Sequence, residues 1–347
     1  MSTFFLLLIL LLGFLITFQI AKASEYVGVL KGEKKNFEQH NRINGFLMIV
    51  FLVLGLIGCY YCNELYKGKI LGESASKHGE EIDRMLYITI AITGVVFVIT
   101  QILLFWFAYK YQYSEKRKAH YFPHDNRLEV IWTVVPAIAL TVLVGFGLFY
   151  WFRITGEAPQ DALQVEVTGK QFGWIFRYAG HDDTFGKKYY QNISDKDNNS
   201  LGLVWDDANT HDDIVVNNEM YCVVNRAVKL IIGSRDVIHD VGLVYFRQKM
   251  DAVPGTPTTL WFVPKFTTEE MKKKTGNPDF EYEISCDQMC GRGHYTMRGV
   301  VKVVTNEEYR LWLAKQKPNY AMIMDEKKPA APAAAPAGDS TKTTAKN

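Results

Sequence analysis

The stretch SCDQMCGRGHYTM, residues 285–297, brings together four side chains that ligate soft metal ions: Cys286, Cys290, His294 and Met297. Thiolate, imidazole and thioether groups are ligands that copper accepts. A single-copper electron-transfer site uses two histidines, one cysteine and a weak axial methionine. This stretch has one cysteine too many and one histidine too few, so its spacing predicts that both sulfurs are shared between two copper ions.

A count of bonds then indicates which ligands lie elsewhere. Two shared sulfurs supply four bonds, and two four-coordinate copper ions need four more. His294 and Met297 supply two of these. His239, which follows a strand-like run in IGSRDVIHDVGLVYF (residues 232–246), is the candidate for the third, and the backbone carbonyl of Gln288 is the candidate for the fourth.

Two other chemistries compete with copper at these residues. Zinc also takes cysteine and histidine, but zinc fingers pair their histidines at H-x3–5-H, and zinc has little use for Met297. A disulfide between Cys286 and Cys290 suits an oxidising external compartment, but it leaves the spacing of His294 and Met297 unexplained. The other cysteines are expected to pack as small hydrophobic side chains: Cys59, Cys62 and Cys222.

The N-terminal half of the chain is strongly apolar. Four runs there are each within or close to the ~17–25 residues that span a bilayer as a helix: residues 4–20, 45–61, 85–109 and 130–152. The loop after the third run, residues 110–127, is rich in lysine and arginine, and such loops stay in the cytoplasm. Alternation then predicts four spans with both termini outside, and the expected location is a bacterial inner membrane with the C-terminal half on the external, periplasmic side.

The first run has an alternative interpretation as a signal peptide. Ala21 and Ala23 suit a signal-peptidase site, and cleavage there would leave three spans. The residues before the run, MST, include no lysine or arginine of the kind that signal peptides carry. Cleavage would also place the C-terminal half in the cytoplasm, against the basic third loop, so an uncleaved first helix is predicted.

The C-terminal half consists of short alternating runs separated by turn residues. Alternation of apolar and polar residues, with many aromatics, predicts half-buried strands that form an antiparallel β-sandwich or barrel. A closing amphipathic helix is predicted at residues 306–316, and the Pro/Ala-rich segment after it is predicted to be disordered. The near balance of 39 basic and 37 acidic residues argues against a nucleic-acid partner.

These residues resemble subunit II of the haem-copper cytochrome c oxidases. The family pattern C-x-E/Q-x-C-x3-H-x2-M is matched by residues 286–297, and S-x-D-V-x-H is matched by residues 234–239. Three further stretches are similar to the family: LEVIWTVVPAI (128–138) to its second membrane helix, VTGKQFGWIFRY (167–178) to its first sandwich strands, and KMDAVPG (249–255) to the turn after its first histidine. The resemblance covers roughly residues 85–316.

The resemblance implies both a fold and an organisation of the chain. A membrane α-helical part would precede an all-β, cupredoxin-like Greek-key sandwich that holds the binuclear copper centre CuA. The implied segments are two extra membrane helices (1–84), a membrane helical hairpin (85–152), the copper domain (158–316) and a disordered tail (317–347).

The resemblance also implies a function. CuA would accept electrons from a c-type cytochrome and pass them to the haem of a separate subunit I, where oxygen is reduced to water. The chain would thus be the electron-accepting subunit of an enzyme, with no bond-making chemistry of its own. The implied metal ligands are His239, Cys286, Gln288, Cys290, His294 and Met297.

Several residues depart from the family pattern or need a second interpretation. Gln288 stands where the family commonly has a glutamate that helps to hold Mg2+ near subunit I, which puts that ion in doubt. Phe172 replaces a tryptophan that receives electrons, and Trp174 follows two positions later. Glu129 matches an acid at the mouth of a proton path, or it is stabilised by a helix N-terminus. Asp236 is expected to orient His239 or a turn rather than to bind metal.

The insertion at residues 181–213 is acidic, with eight aspartates and three lysines. It is expected either to be a solvated loop or to steer a basic cytochrome by charge.

Other functions remain open. A quinol oxidase subunit would keep the fold but usually lacks the copper ligands, and an assembly or scaffold protein would use copper only structurally. The soluble CuA enzyme that reduces nitrous oxide is disfavoured by the membrane hairpin.

Overall fold

The structure, a computed structural model, describes residues 3–69 and 72–326. Two compact units are present: one comprises Met1–Glu73 with Arg84–Leu148, and the other comprises Ser74–Asp83 with Phe149–Asn347. The first unit is helical, and the second is built on β-strands.

Four long helices account for the apolar N-terminal half: α1 Thr3–Lys31, α2 Glu33–Tyr66, α3 Lys77–Lys110 and α4 Asn126–Ile154. Within the described part of the chain, three helices are long and apolar enough to cross a membrane, α2 from Lys34 onward, α3 and α4, whereas the sequence predicts four. The first apolar run does lie in a helix, α1, but the side chains of several of its residues fall outside the described part.

The extra helix α2 contacts the loop that follows α3. Lys34 forms an ion pair with Glu115 at 2.7 Å, and the Asn41 side-chain amide donates a hydrogen bond to the Tyr113 carbonyl at 2.7 Å. These two polar contacts connect the first half of α2 to the loop after α3.

Ten strands form the second unit within the described residues: β1 Leu163–Lys170, β2 Gly173–Tyr178, β3 Ile214–Asn217, β4 Glu219–Val223, β5 Val228–Ser234, β6 His239–Leu243, β7 Gln248–Ala252, β8 Thr258–Phe262, β9 Tyr282–Cys286 and β10 Arg298–Val304. They make two five-stranded sheets, ordered β3-β2-β1-β5-β8 and β4-β10-β9-β6-β7. The predicted class, membrane helices followed by a β-sandwich, is confirmed.

The sandwich is mixed rather than purely antiparallel. β1 pairs with β5 in parallel, and β4 pairs with β10 in parallel, while the other pairs are antiparallel. A strand that joins a sheet after the chain has crossed to the other sheet and returned can run in the same direction as its neighbour. Alternation of apolar residues indicates burial but carries no information on strand direction, so the sequence did not show these pairs.

Alternate residues of the facing strands fill the space between the sheets. Val165, Val167 and Phe176 come from one sheet, and Ile284 and Val301 come from the other, and all five are fully buried. Burial of their apolar surface stabilises the folded state by about 25 cal/mol for each Å2 removed from water. This core sets the separation of the sheets and so fixes the ends of the strands that carry the site.

The segment Ser74–Asp83, at the start of α3, belongs to the β unit. The Ala75 N–H donates to the Tyr245 carbonyl at 2.8 Å, and the Ala75 carbonyl accepts from the Lys265 N–H at 2.8 Å. Asp83 pairs with both sides of the Arg247 guanidinium at 2.8 and 3.1 Å. The hydropathy pattern assigns residues 1–84 to the extra helical part because short serine and alanine side chains carry no strand signal.

The C-terminal segment also packs on the β unit. α6, Asn306–Lys315, follows the smaller helix α5, Thr268–Thr275, along the chain, and α7, Asn319–Glu326, comes after it. Ile323 in α7 is 3% exposed, and the Tyr320 ring stacks on His211 with centroids 3.9 Å apart. A disordered tail is predicted from residue 317, but the chain is helical as far as Glu326; residues 327–347 of that tail lie outside the described residues.

We expect Ile323→Ala to lower the free energy of unfolding of the β unit by about 2–4 kcal/mol, because it removes a buried side chain and leaves a cavity. Met322→Ala, at a neighbouring position that is 37% exposed, should cost much less. Thermal unfolding of the two variants followed by circular dichroism checks this. Equal losses would mean that α7 does not pack on the unit in solution.

Candidate metal centre

Pairing of two strands brings the two sequence motifs together. His239 is the first residue of β6 and Cys286 is the last residue of β9. The two strands pair with Val241 opposite Cys286, so His239 lies just beyond the end of β9. The loop after Cys286 then folds back, and the Cys286 N–H donates to the Met297 carbonyl at 3.1 Å.

The six predicted ligands form one cluster of donor atoms. The ligand atoms of His239, Cys286 and Cys290 all lie within 4.8 Å of one another. The contacts between donor atoms are: Cys286 Sγ to Cys290 Sγ 3.8 Å, Cys286 Sγ to His239 Nδ1 3.8 Å, Cys286 Sγ to the Gln288 carbonyl 3.1 Å, Cys290 Sγ to His294 Nδ1 3.7 Å, and Cys290 Sγ to Met297 Sδ 3.8 Å. Each sulfur thus has its own pair of neighbouring donors.

The two cysteines of this cluster are free thiols in a buried environment. A disulfide would bring the sulfurs to about 2.05 Å, whereas Cys286 and Cys290 are unbonded and both buried. Burial raises the pKa of Cys290 to about 11, so in the absence of a metal this thiol keeps its proton at neutral pH. Metal ions bind the thiolate, so binding here would release that proton.

The donor set fits copper. Two sulfurs, a thioether and two imidazoles are soft or borderline ligands, whereas Mg2+ prefers oxygen ligands with negative charge. Gln288 offers its carbonyl to Cys286 Sγ, and its side chain is an exposed neutral amide. The donor set therefore fits copper, and position 288 offers no carboxylate to Mg2+, so the doubt about that ion stays a prediction.

Asp236 contacts His239, the residue that it is expected to orient. One of its oxygens lies 2.8 Å from His239 Nε2, which leaves Nδ1 facing Cys286 Sγ. Its other oxygen accepts from the Gln171 N–H at 2.8 Å. Burial acts to raise the pKa of Asp236, but the hydrogen bonds from Gln171, His239 and Val237 outweigh it and hold that pKa below its ordinary value.

The two aromatic residues predicted to transfer electrons lie in different environments. Phe172 is 41% exposed, and its ring lies against Gly291 and Gly293. Both glycines belong to the loop between β9 and β10, residues 287–297, which is called the metal loop below. Trp174 is completely buried, with its ring centroid 6.2 Å from that of His239. Trp174 therefore cannot itself contact a partner protein, whereas Phe172 can.

Gln171 is a residue of this site that sequence reasoning missed. Its side-chain amide donates to the Cys290 carbonyl at 2.6 Å, and its N–H donates to Asp236. It thus joins the metal loop to the loop that carries His239. Its position just before Phe172 in the GKQF motif was the available signal.

Glu129 lies in the helical unit, in the first turn of α4, and is exposed. The side chain that caps this helix is Asp125, which accepts from the N–H groups of Arg127 at 2.8 Å and Leu128 at 3.2 Å. Glu129 is thus left beside the positive end of the helix without acting as its cap. Its role in a proton path stays a prediction.

Three aspartates of the acidic insertion have partners within the β unit. Asp213 is completely buried and pairs with Arg177 at 2.5 Å. Asp212 accepts from the N–H groups of His181 and Asp182, and Asp207 accepts from that of Lys187. Asp213 is buried and ion-paired, so it adds little to the surface charge, whereas Asp207 and Asp212 accept hydrogen bonds from backbone N–H groups and keep their negative charge. Charge steering by the insertion stays a prediction.

Comparison with known proteins agrees with this architecture. The family model described as "Cytochrome C oxidase subunit II, transmembrane domain" matches residues 68–149, and "Cytochrome C oxidase subunit II, periplasmic domain" matches residues 163–304. These matches cover the α3–α4 hairpin and the sandwich, and they leave out α1 and α2.

Individual relatives give the same assignment. The chain is 33% identical over 237 residues, 68% of this chain and 80% of the relative, to "Alternative cytochrome c oxidase subunit 2" of Bradyrhizobium diazoefficiens. It is 25% identical over 251 residues, 70% and 78% of the two chains, to "Cytochrome c oxidase subunit 2" of Cereibacter sphaeroides. It is 30% identical over 234 residues, 67% and 77%, to "Probable cytochrome c oxidase subunit 2" of Rickettsia bellii.

The matched transmembrane and periplasmic models identify a membrane protein with an external domain. Together with the relative that is 33% identical over most of both chains, they show that this chain belongs to the cytochrome c oxidase subunit II family, a component of the haem-copper oxidase enzymes.

Proposed function

We propose that the β unit holds a binuclear copper centre, CuA, and that the chain accepts electrons from a c-type cytochrome for delivery to the haem of subunit I, where oxygen is reduced to water. The observation that carries this proposal is the cluster of six donors, two of which are the free, buried sulfurs of the cysteines. Cys286 and Cys290 would be shared between the metals. His239, His294, Met297 and the Gln288 carbonyl would complete the coordination.

Bound copper would carry one electron at a time, and the chain would keep the geometry of the ligands nearly the same in the oxidised and reduced states. The ligands lie at strand ends and in a short loop that is hydrogen-bonded at its base, so little can move when the charge changes. Burial of Cys286, Cys290 and Met297 would limit the amount of water that could reorient around the site. The presence of all six donors favours this function over a quinol oxidase subunit, which usually lacks them.

Exposed apolar side chains around the metal loop support a docking surface for the electron donor. Phe172, Ile238 and Tyr295 are 41%, 46% and 78% exposed. We infer that a cytochrome meets this rim, because Phe172 lies directly on the loop that carries Cys290. Trp174 would act from behind the surface, through its neighbour His239.

Subunit I is the inferred acceptor. The chain itself has no residues that would carry a haem in the c-type manner, since no C-x-x-C-H occurs in it. Mg2+ at the contact with subunit I is not part of the proposal, because Gln288 is neutral.

The His239 ring lies close to the backbone of β1, in space that the absence of a side chain at Gly169 leaves open. A Cβ added at Gly169 would lie 2.7 Å from His239 Cδ2, which is closer than carbon atoms can approach. Because His239 is completely buried, its ring has no free space into which to move. A glycine is therefore required at position 169 if His239 is to face Cys286.

We expect the purified full-length protein to bind two copper ions per chain and to give an electron paramagnetic resonance spectrum of one electron shared by two coppers. Cys290→Ser should bind at most one copper, because a shared ligand is lost. Cys222→Ser should still bind two, since Cys222 lies in the apolar core with its pKa raised by burial. Metal analysis that finds one copper, or zinc, in the unaltered protein would contradict the proposal.

We expect Gly169→Ala to weaken copper binding roughly tenfold or more, since overpacking costs about 1–3 kcal/mol. Gly233→Ala on the neighbouring strand β5 is a matched control, because a Cβ there meets nothing within 4 Å. Competition with a copper chelator measures both affinities. Unchanged binding by Gly169→Ala would mean that His239 is not a ligand.

We further propose that α1 is an uncleaved fourth span in a bacterial inner membrane. An epitope tag at the N-terminus should then be digested by protease added outside intact spheroplasts, and a tag inserted after Lys118 should be protected. The basic loop at residues 110–127 supports this orientation. Three spans, or a mature protein that begins at Ser24, would leave the N-terminal tag protected or absent.

A further inference from the structure

The short loop between β5 and β6, residues 235–238, carries Asp236 to His239 but has few contacts of its own. Within it, the Ser234 hydroxyl donates to the Val237 carbonyl, and the Val237 N–H donates to Asp236 at 2.7 Å. The Ile238 side chain is 46% exposed. The position of Asp236 against His239 therefore depends on contacts that the loop makes with other segments.

Arg235 makes two such contacts in opposite directions. Its N–H donates to the Gly169 carbonyl at 3.0 Å. Its guanidinium donates to both oxygens of Asp195, with Nη1 to Oδ1 at 2.7 Å and Nη2 to Oδ2 at 2.6 Å. This bidentate geometry is the strong form of an Arg–carboxylate pair. The hydrogen bond from Arg235 holds the pKa of Asp195 well below its ordinary value, so the pair stays ionised.

The carboxylate of Asp195 is presented by a closed hairpin at the tip of the acidic insertion. Ser194 and Asn199 exchange backbone hydrogen bonds at 3.0 and 2.9 Å. The Ser200 hydroxyl donates to Asp195 at 3.0 Å, which fixes the carboxylate further. An exposed ion pair is usually weak because both side chains must be ordered to form it. Here one partner is already held in place.

The hairpin is in turn fixed to the sheet. Asn199 is buried and exchanges hydrogen bonds with the backbone of Leu203, at 2.7 and 3.0 Å. Leu201 and Leu203 pack with Ile175 of β2 in a small apolar cluster on the outer face of the sheet. The insertion therefore connects the body of the sandwich to Arg235 through a continuous set of ordered contacts.

We propose that the Arg235–Asp195 pair is a latch through which the acidic insertion positions His239. Arg235 and Asp195 are positioning residues: they hold the loop so that Asp236 stays hydrogen-bonded to His239 Nε2 and Nδ1 faces Cys286. The insertion thus supports the metal site mechanically instead of serving only as a charged surface. This inference rests on the proposed function in one respect, that His239 is a copper ligand.

The first test is hydrogen exchange on the full-length, metal-free protein. The N–H groups of Gln171 and Val237 both donate to Asp236, so their exchange reports on its position. Asp195→Asn should speed their exchange roughly fivefold, the effect of losing an ion pair at the upper end of the exposed range. Asp197→Asn is the matched control, because it removes the same charge from the same hairpin but contacts Ser194. Equal exchange in the two variants would overturn the latch.

The second test uses copper-loaded full-length protein. Asp195→Asn should release copper to a chelator roughly fivefold faster and shift the electron paramagnetic resonance spectrum, while Asp197→Asn should do neither. Asp195→Glu keeps the carboxylate, so its rate of copper release and its spectrum should match those of the unaltered protein.

Faster exchange with unchanged copper release and spectrum would overturn the positioning role, since the pair would then secure the loop without affecting His239. If the unaltered protein binds no copper, the proposed function fails and the positioning of a metal ligand fails with it. The exchange test would still decide whether the ion pair holds the loop.

Discussion

The pairing of β6 with β9 is the constraint on which the site depends. His239 and Cys286 are 47 positions apart in the chain, and only this pairing brings their side chains into contact. The sheet therefore brings together two residues that are too far apart in the chain to belong to one local motif. Every other donor follows from it, because Cys290, His294 and Met297 lie on the loop that begins where β9 ends.

The hydrogen bonds around the site form a frame in which each member restrains the next. Asp236 is hydrogen-bonded to Nε2 of His239 and accepts from the Gln171 N–H. The side-chain amide of the same Gln171 donates to the carbonyl of Cys290. The two halves of the donor cluster are thus connected by hydrogen bonds of the chain itself. A site built this way keeps its shape before a metal arrives, which lowers the cost of binding.

How much the sequence could predict depended on whether the signal was local. Spacing within residues 286–297 and the hydropathy of the helices are local, and from them the fold class and the candidate ligands followed. Asp213 appeared to be a surface charge because its partner Arg177 lies on another strand, 36 positions away. The segment Ser74–Asp83 was assigned to the helical part because its polar, short side chains reveal their neighbours only after the sandwich has formed. The sequence did not predict α7 because this helix of eight residues directly precedes the Pro/Ala-rich tail and was assigned to it.

The place of Ser74–Asp83 in the β unit has a consequence for how the protein is made. The ribosome synthesises this segment before the rest of α3 and before α4, but its partners Tyr245, Arg247 and Lys265 emerge only after both helices are complete. The segment must therefore wait while the hairpin is inserted and the rest of the chain is exported. Closure of this long loop comes late and is slow for entropic reasons. Biogenesis of the sandwich is thereby tied to completed insertion of the membrane hairpin, so a chain stalled during insertion cannot finish its external domain.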